Sequence, residues 1–102
     1  MMYLKLEFDN LPKLLEQYDK VLVMYGADWC DDCTSLHPEF EKLADNHTEI
    51  PFVYVDSDKF PNSRDLAEFE FIPTIVAFDF SKNIGQDKGN NIDKVKSVLA
   101  KL

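Results

Sequence analysis

Basic residues are scarce in this chain. Eleven lysines and arginines face 19 aspartates and glutamates, giving a net charge of −8 over 102 residues. So acidic a surface repels phosphate backbones and anionic headgroups, which excludes nucleic acid and membrane as expected partners. No apolar run approaches the ~18 residues that a bilayer crossing needs. Repeats, linkers and low-complexity tracts are missing as well. The stretch Met1 to Glu7 alternates like a strand and lacks the basic and apolar regions of a signal peptide, so a cytoplasmic setting is expected. Cysteines number only two, Cys30 and Cys33. Bridging them would close a four-residue loop, worth about 1.9 kcal/mol by loop entropy against roughly 3 for fifteen residues. A bond that stabilises so little suits opening and closing better than stapling.

What is present is enough for one core. Hydrophobic residues make up 45% of the chain and aromatics 13%, and residues 1–102 read as a single domain. Leu4, Leu6 and Phe8 alternate with polar neighbours as the inward face of a first strand. Asp9-Asn10 offers a helix cap, followed by an apolar face of Leu11, Leu14, Leu15 and Tyr18. Val21 to Tyr25 is continuously apolar, as a strand covered on both faces would be. The spacing then predicts a helix from Cys30 to about Asn46, kinked by Pro38. Phe52 to Val55 reads as a strand, and Asn62-Ser63 as the cap of a short helix reaching about Phe69. Thr74 to Phe80 reads as a strand, Ser81 to Asn83 as a turn and Asn83 to Lys88 as a weak polar strand. Asn90-Asn91 caps a last helix whose apolar face is Ile92, Val95, Val98, Leu99 and Leu102. The expected order is β-α-β-α-β-α-β-β-α, an α/β fold with a mixed sheet of about five strands and four helices.

The chemistry concentrates in one segment, Trp29-Cys30-Asp31-Asp32-Cys33, which follows a buried strand and opens a helix, with Pro38 five residues on. Ile72-Pro73-Thr74 opens the next-to-last strand and Gly89 precedes the last helix. With these features together, the chain resembles thioredoxin and the wider thioredoxin-like oxidoreductases over essentially its whole length. The resemblance implies a thioredoxin fold and a cis Ile72–Pro73 peptide, which is uncommon for X–Pro bonds in general. It implies a substrate surface formed by Trp29, Ile72, Pro73 and Gly89, with Trp29 as one wall. Protein disulfides are the implied substrates and a thioredoxin reductase-like flavoenzyme the implied electron donor. No cofactor beyond the Cys30–Cys33 disulfide and no metal is expected, and the protein is expected to work as a monomer.

Cys30 stands at the helix start, where free N–H groups and the macrodipole favour an anion. It is therefore expected to be the exposed attacking thiolate, with Cys33, one turn deeper, resolving the mixed disulfide. Asp31 and Asp32 oppose that. A carboxylate ~6 Å from a thiolate costs about 0.7 kcal/mol in water and about 2.8 at an effective dielectric of 20. The helix end returns only ~0.3–1 kcal/mol, or up to ~2 when partly buried. The aspartates are thus expected to hold the Cys30 thiol near or above neutrality and to steer the site toward basic or neutral surfaces.

Departures from thioredoxin lie beneath the pair. The buried acid usual in the preceding strand falls at Met24, and its usual lysine partner at Phe52, so the familiar proton relay is missing. His37, four residues after Cys33, is the expected substitute. The last strand is polar, with Ile84 nearly its only apolar residue, which suggests a different partner set. Two other readings compete with a protein-disulfide reductase. One is a thioredoxin-like adaptor whose thiols are incidental. The other is a zinc site built on Cys30, Cys33 and His37, disfavoured because three ligands within eight residues of one helix converge poorly.

Overall fold

A computed structural model describes residues 3–102, so the first two residues of the expected N-terminal strand lie outside it. The elements run β1 Tyr3–Lys5, α1 Leu11–Gln17, β2 Lys20–Gly26, α2 Asp31–Ala44, β3 Phe52–Asp56, α3 Pro61–Arg64, β4 Thr74–Asp79, β5 Lys82–Lys88 and α4 Ile92–Leu99. This is the order read from the sequence. One five-stranded sheet has the order β1-β3-β2-β4-β5. β3 runs parallel to both β1 and β2, whereas β4 is antiparallel to β2 and to β5.

Alternation along the three central strands divides the core into two layers. Leu22, Met24, Phe52, Tyr54, Ile75 and Ala77 pack under α2 and α4, together with Cys30, Cys33, Leu36, Phe40, Val95 and Val98. Val21, Val23, Tyr25, Val53, Val55, Val76 and Phe78 pack on the other face against Leu11, Leu15 and Ala67. Both faces of these strands are therefore dry, which is why their sequences read as unbroken apolar runs.

Four expectations fail at the edges of this core. Of Leu4, Leu6 and Phe8 only Leu6 is buried; Leu4 is 42% and Phe8 70% exposed. β1 is a three-residue edge strand, and Phe8 lies beyond it in a bend. Asn10 holds the N-cap position of α1 but makes no side-chain cap bond. The cap comes from across the molecule, since Ser63 Oγ accepts the Leu11 N–H at 3.1 Å. Asp9 caps α3 in return, accepting from the N–H groups of Asn62 and Ser63 and from the Ser63 hydroxyl. Finally, α3 ends at Arg64 instead of Phe69. The Arg64 guanidinium donates to Phe69 O at 2.7 Å and lies 4.1 Å over the Phe69 ring, so the chain wraps around this side chain instead of continuing the helix. The β4–β5 turn is also tighter than expected, with Phe80 and Ser81 alone between the strands.

Candidate active site

β2 and β3 end together, with Gly26 paired to Asp56, and the chain leaving β2 delivers Cys30 to the start of α2. Cys30 is the N-cap residue: its backbone is extended and its sulfur accepts the Cys33 N–H at 3.2 Å. A sulfur in the place usually held by a serine or aspartate oxygen thus meets one of the unpaired N–H groups of the helix end. The two cysteines are joined as a disulfide, with Cα atoms 5.2 Å apart. Cys30 is 7% exposed and Cys33 1%. The expectation of an exposed Cys30 is therefore corrected, because in the joined state α2 and the Ile72 segment cover most of it. It remains the outer sulfur of the two.

Opposite the cysteines, the Ile72–Pro73 peptide is cis. The Ile72 carbonyl oxygen lies 3.8 Å from Cys30 Sγ. Pro73 is buried, and its carbonyl accepts the Gly89 N–H at 2.7 Å. Gly89, expected at the substrate surface, is buried, and that N–H is engaged within the fold. A Cβ there would sit 2.6 Å from Ile75 Cγ1, so glycine is required for close packing. Trp29 is 70% exposed, no part of the core, and its Nε1–H donates to Asp58 at 2.6 Å. Asp28 pairs with Lys59 at 3.2 Å. Asp31 and Asp32 are exposed in the first turn of α2, where carboxylates also suit the positive end of the helix.

His37 makes its direct contacts elsewhere than the sulfurs. Its Nε2 hydrogen-bonds the Tyr3 hydroxyl and its ring stacks on Tyr54 at 4.7 Å, with no hydrogen bond to either cysteine among the described residues. Burial lowers its pKa, the nearby Glu41 carboxylate raises it, and Lys5 lowers it further, for a net fall. Met24 and Phe52 are fully buried in the cysteine layer, so both departures from the usual acid and lysine are filled with apolar volume. No group of three or more histidine, cysteine or carboxylate side chains that could hold a metal occurs among the described residues.

Sequence reasoning passed over three residues here. Asp58 anchors Trp29. Phe71, 58% exposed beside Ile72, carries the Lys88 ammonium 4.3 Å over its ring. Tyr54 stacks under His37 within the cysteine layer. Only Phe71, an aromatic next to Ile-Pro-Thr, had a signal that could have been noticed.

The arrangement is a helix-capping sulfur bonded to an inner one and faced by a cis-proline carbonyl segment. The Thioredoxin family model matches residues 3–101. Thioredoxin-3 of Dictyostelium discoideum is 31% identical over 91 residues, covering 89% of this chain and 86% of its own. Thioredoxin of Homo sapiens is 27% identical over 85 residues, covering 82% of this chain and 81% of its own. The crystal structure of reduced Schistosoma mansoni thioredoxin pre-protein superposes with a TM-score of 0.88 at 30% identity, covering 99% of this chain and 98% of that one. Site, fold and near-complete coverage agree: the chain is a thiol-disulfide oxidoreductase and belongs to the thioredoxin family.

Proposed function

We propose that the chain is a protein-disulfide reductase in which Cys30 attacks and Cys33 resolves. The observation that carries this reading is the Cys33 N–H directed at Cys30 Sγ, which favours negative charge on the outer sulfur once the pair is reduced. The Cys30 thiolate attacks a substrate disulfide, forming a mixed disulfide and releasing one substrate thiolate. Cys33 then attacks Cys30 Sγ, closes the internal disulfide and releases the second substrate sulfur as a thiolate. The substrate lies along the exposed Trp29 and the half-buried Ile72, with the buried Pro73 shaping the backbone beneath it. Asp31 and Asp32 oppose the thiolate and favour basic or neutral substrates over acidic ones. Electrons arrive from a thioredoxin reductase-like flavoenzyme, and the protein works as a monomer in a reducing, cytoplasmic setting.

Insulin reduction in dithiothreitol tests this. The wild-type chain should speed insulin precipitation, Cys30→Ser should abolish the gain, and Cys33→Ser should accumulate a mixed disulfide at Cys30 visible by mass. A wild-type chain no faster than dithiothreitol alone would leave an adaptor whose thiols are incidental.

A further inference from the structure

The resolving step has a requirement that the sulfurs cannot meet alone. Cys33 must lose a proton to attack, yet it is 1% exposed and its layer is built of Leu22, Met24, Leu36, Ile75 and similar groups. Among the described residues, Tyr54 is the one member of that buried apolar cluster, apart from the cysteines, with an exchangeable proton on its side chain. Its tip reaches the end of β2, from which the chain leads to Cys30: a Cβ on Gly26 would sit 2.6 Å from the Tyr54 hydroxyl oxygen. The hydroxyl takes part in none of the hydrogen bonds found among the described residues, so it is free to bond water. Tyr54 also lines a surface cavity of about 330 Å³ with Lys5, Glu7, Asp56 and Lys59. Tyr54 thus belongs both to the cysteine layer and to the lining of a solvent-facing cavity.

We propose that the Tyr54 hydroxyl relays the proton of Cys33 to water in this cavity during resolution, an inference that rests on Cys33 being the resolving thiol. The Cys33 proton passes to the Tyr54 oxygen, directly or through one water, as the Tyr54 proton passes outward to cavity water. The Cys33 electron pair forms the bond to Cys30 Sγ, and the bond between Cys30 and the substrate sulfur breaks with its pair on the substrate. Tyr54 ends as it began, neutral. The charged and titratable groups around the phenol agree with that role. Asp56 on its own strand and Asp28 after β2 bear on it, and His37 of α2 stacks on it. Tyr3 and Lys5 of β1 neighbour it, Lys59 lines the same cavity, and Glu41 of α2 bears on its neighbours Tyr3 and His37. Burial first, then Asp56 and Asp28, push the Tyr54 pKa up to about 12, which keeps the phenol protonated and able to pass a proton along.

Stopped-flow reaction of the reduced protein with 5,5′-dithiobis(2-nitrobenzoate) separates the two steps. Attack by Cys30 releases one coloured thiolate, and resolution by Cys33 releases the second. Tyr54→Phe should slow the second release by about a hundredfold near neutrality, the low end for a positioned proton-transfer group. The deficit should vanish at alkaline pH, where solvent base takes the proton, and the first release should be unchanged. In wild type, the second release alone should slow in deuterium oxide. A Tyr54→Phe pH profile that superposes on wild type overturns the relay, and so does a wild-type second release indifferent to deuterium, which decides the matter even if the variant fails to fold. A wild-type protein that never gives the second release overturns the role of Cys33 and the relay with it; a normal second release with an unshifted profile overturns the relay alone.

Discussion

Tyr25 and Tyr54 sit on adjacent strands of one sheet, both buried, and face opposite ways. Tyr25 belongs to the layer under α1 and α3, where its hydroxyl donates to Ser63 O at 2.7 Å. Ser63 is fully buried there, accepts the Leu11 N–H and donates to Asp9. Every polar atom of that cluster has a partner. Tyr54, in the layer under α2 and α4, has stacking but no protein hydrogen bond among the described residues. The comparison teaches that this fold separates its tasks by face. One face closes its polar groups into a knot joining α1 to α3. The other holds two sulfurs and a phenol with bonding capacity to spare, as chemistry requires.

Packing itself should not distinguish the faces. Phe40→Ala on the cysteine face and Phe78→Ala on the other each remove a ring that is at most 1% exposed. Each should cost about 3–5 kcal/mol in urea unfolding, the largest effects foreseen. A cost on only one face would mean that the layers differ in packing as well as in polar closure. The tyrosines give the sharper contrast. Tyr25→Phe strips the Ser63 carbonyl of a buried donor and should cost about 1–3 kcal/mol. Tyr54→Phe breaks no such bond and should stay within about 0.5 kcal/mol. Equal losses would break the comparison.

A smaller gain is expected at the hairpin beyond both layers. Phe80 and Ser81 hold φ of 49° and 68° in the two-residue turn between β4 and β5. Side chains resist that region, a phenylalanine more than most. Replacing the pair with Asn-Gly should raise stability by about 0.5–1 kcal/mol, read as a higher urea midpoint. No gain would mean that losing the Ser81 hydroxyl bond to Leu15 O, or a contact of the 70% exposed Phe80, offsets the backbone relief.

The gentlest probe is pH. His37 on the cysteine face has a pKa lowered chiefly by burial, so the folded state binds its proton less readily than the unfolded chain. Its contribution is complete above the unfolded value of about 6.5 and is lost as pH falls through that region toward the lowered value. Asp9 on the other face behaves likewise in stronger acid. Burial would raise its pKa, but the hydrogen bonds from Ser63 and Asn62 outweigh that and bring it below 3.8. Its contribution is complete above that value and fades as pH falls through the lowered one. Urea midpoints across pH should lose the mildly acidic slope in His37→Asn and the strongly acidic slope in Asp9→Asn. Either slope surviving its own substitution would reassign the group responsible.

Much of this was legible in one dimension. Runs such as Val21 to Tyr25 and Phe52 to Val55 announce strands covered on both faces, because only central strands between two helical layers can bury every residue. Trp29-Cys30-Asp31-Asp32-Cys33 states its chemistry locally, since a helix start and a spacing of three suffice to bring two sulfurs together. The cis Ile72–Pro73 was readable only through family likeness, and the fold contains it.

What a linear reading missed depends on distant partners. A cap residue is chosen by whichever N–H groups end up nearest, so Asp9 serves α3 and Ser63 serves α1, across more than fifty residues. Helical spacing put His37 on the side of Cys33, but β1 and β3 supplied Tyr3 and Tyr54 to take it. The amino-acid order by itself determined the succession of strands and helices and the reactive pair, because hydrophobic periodicity and a spacing of three are written along the chain. Only the folded arrangement decided which polar groups close upon one another and which stay open beside the sulfurs, because those pairings join segments that the chain order keeps apart.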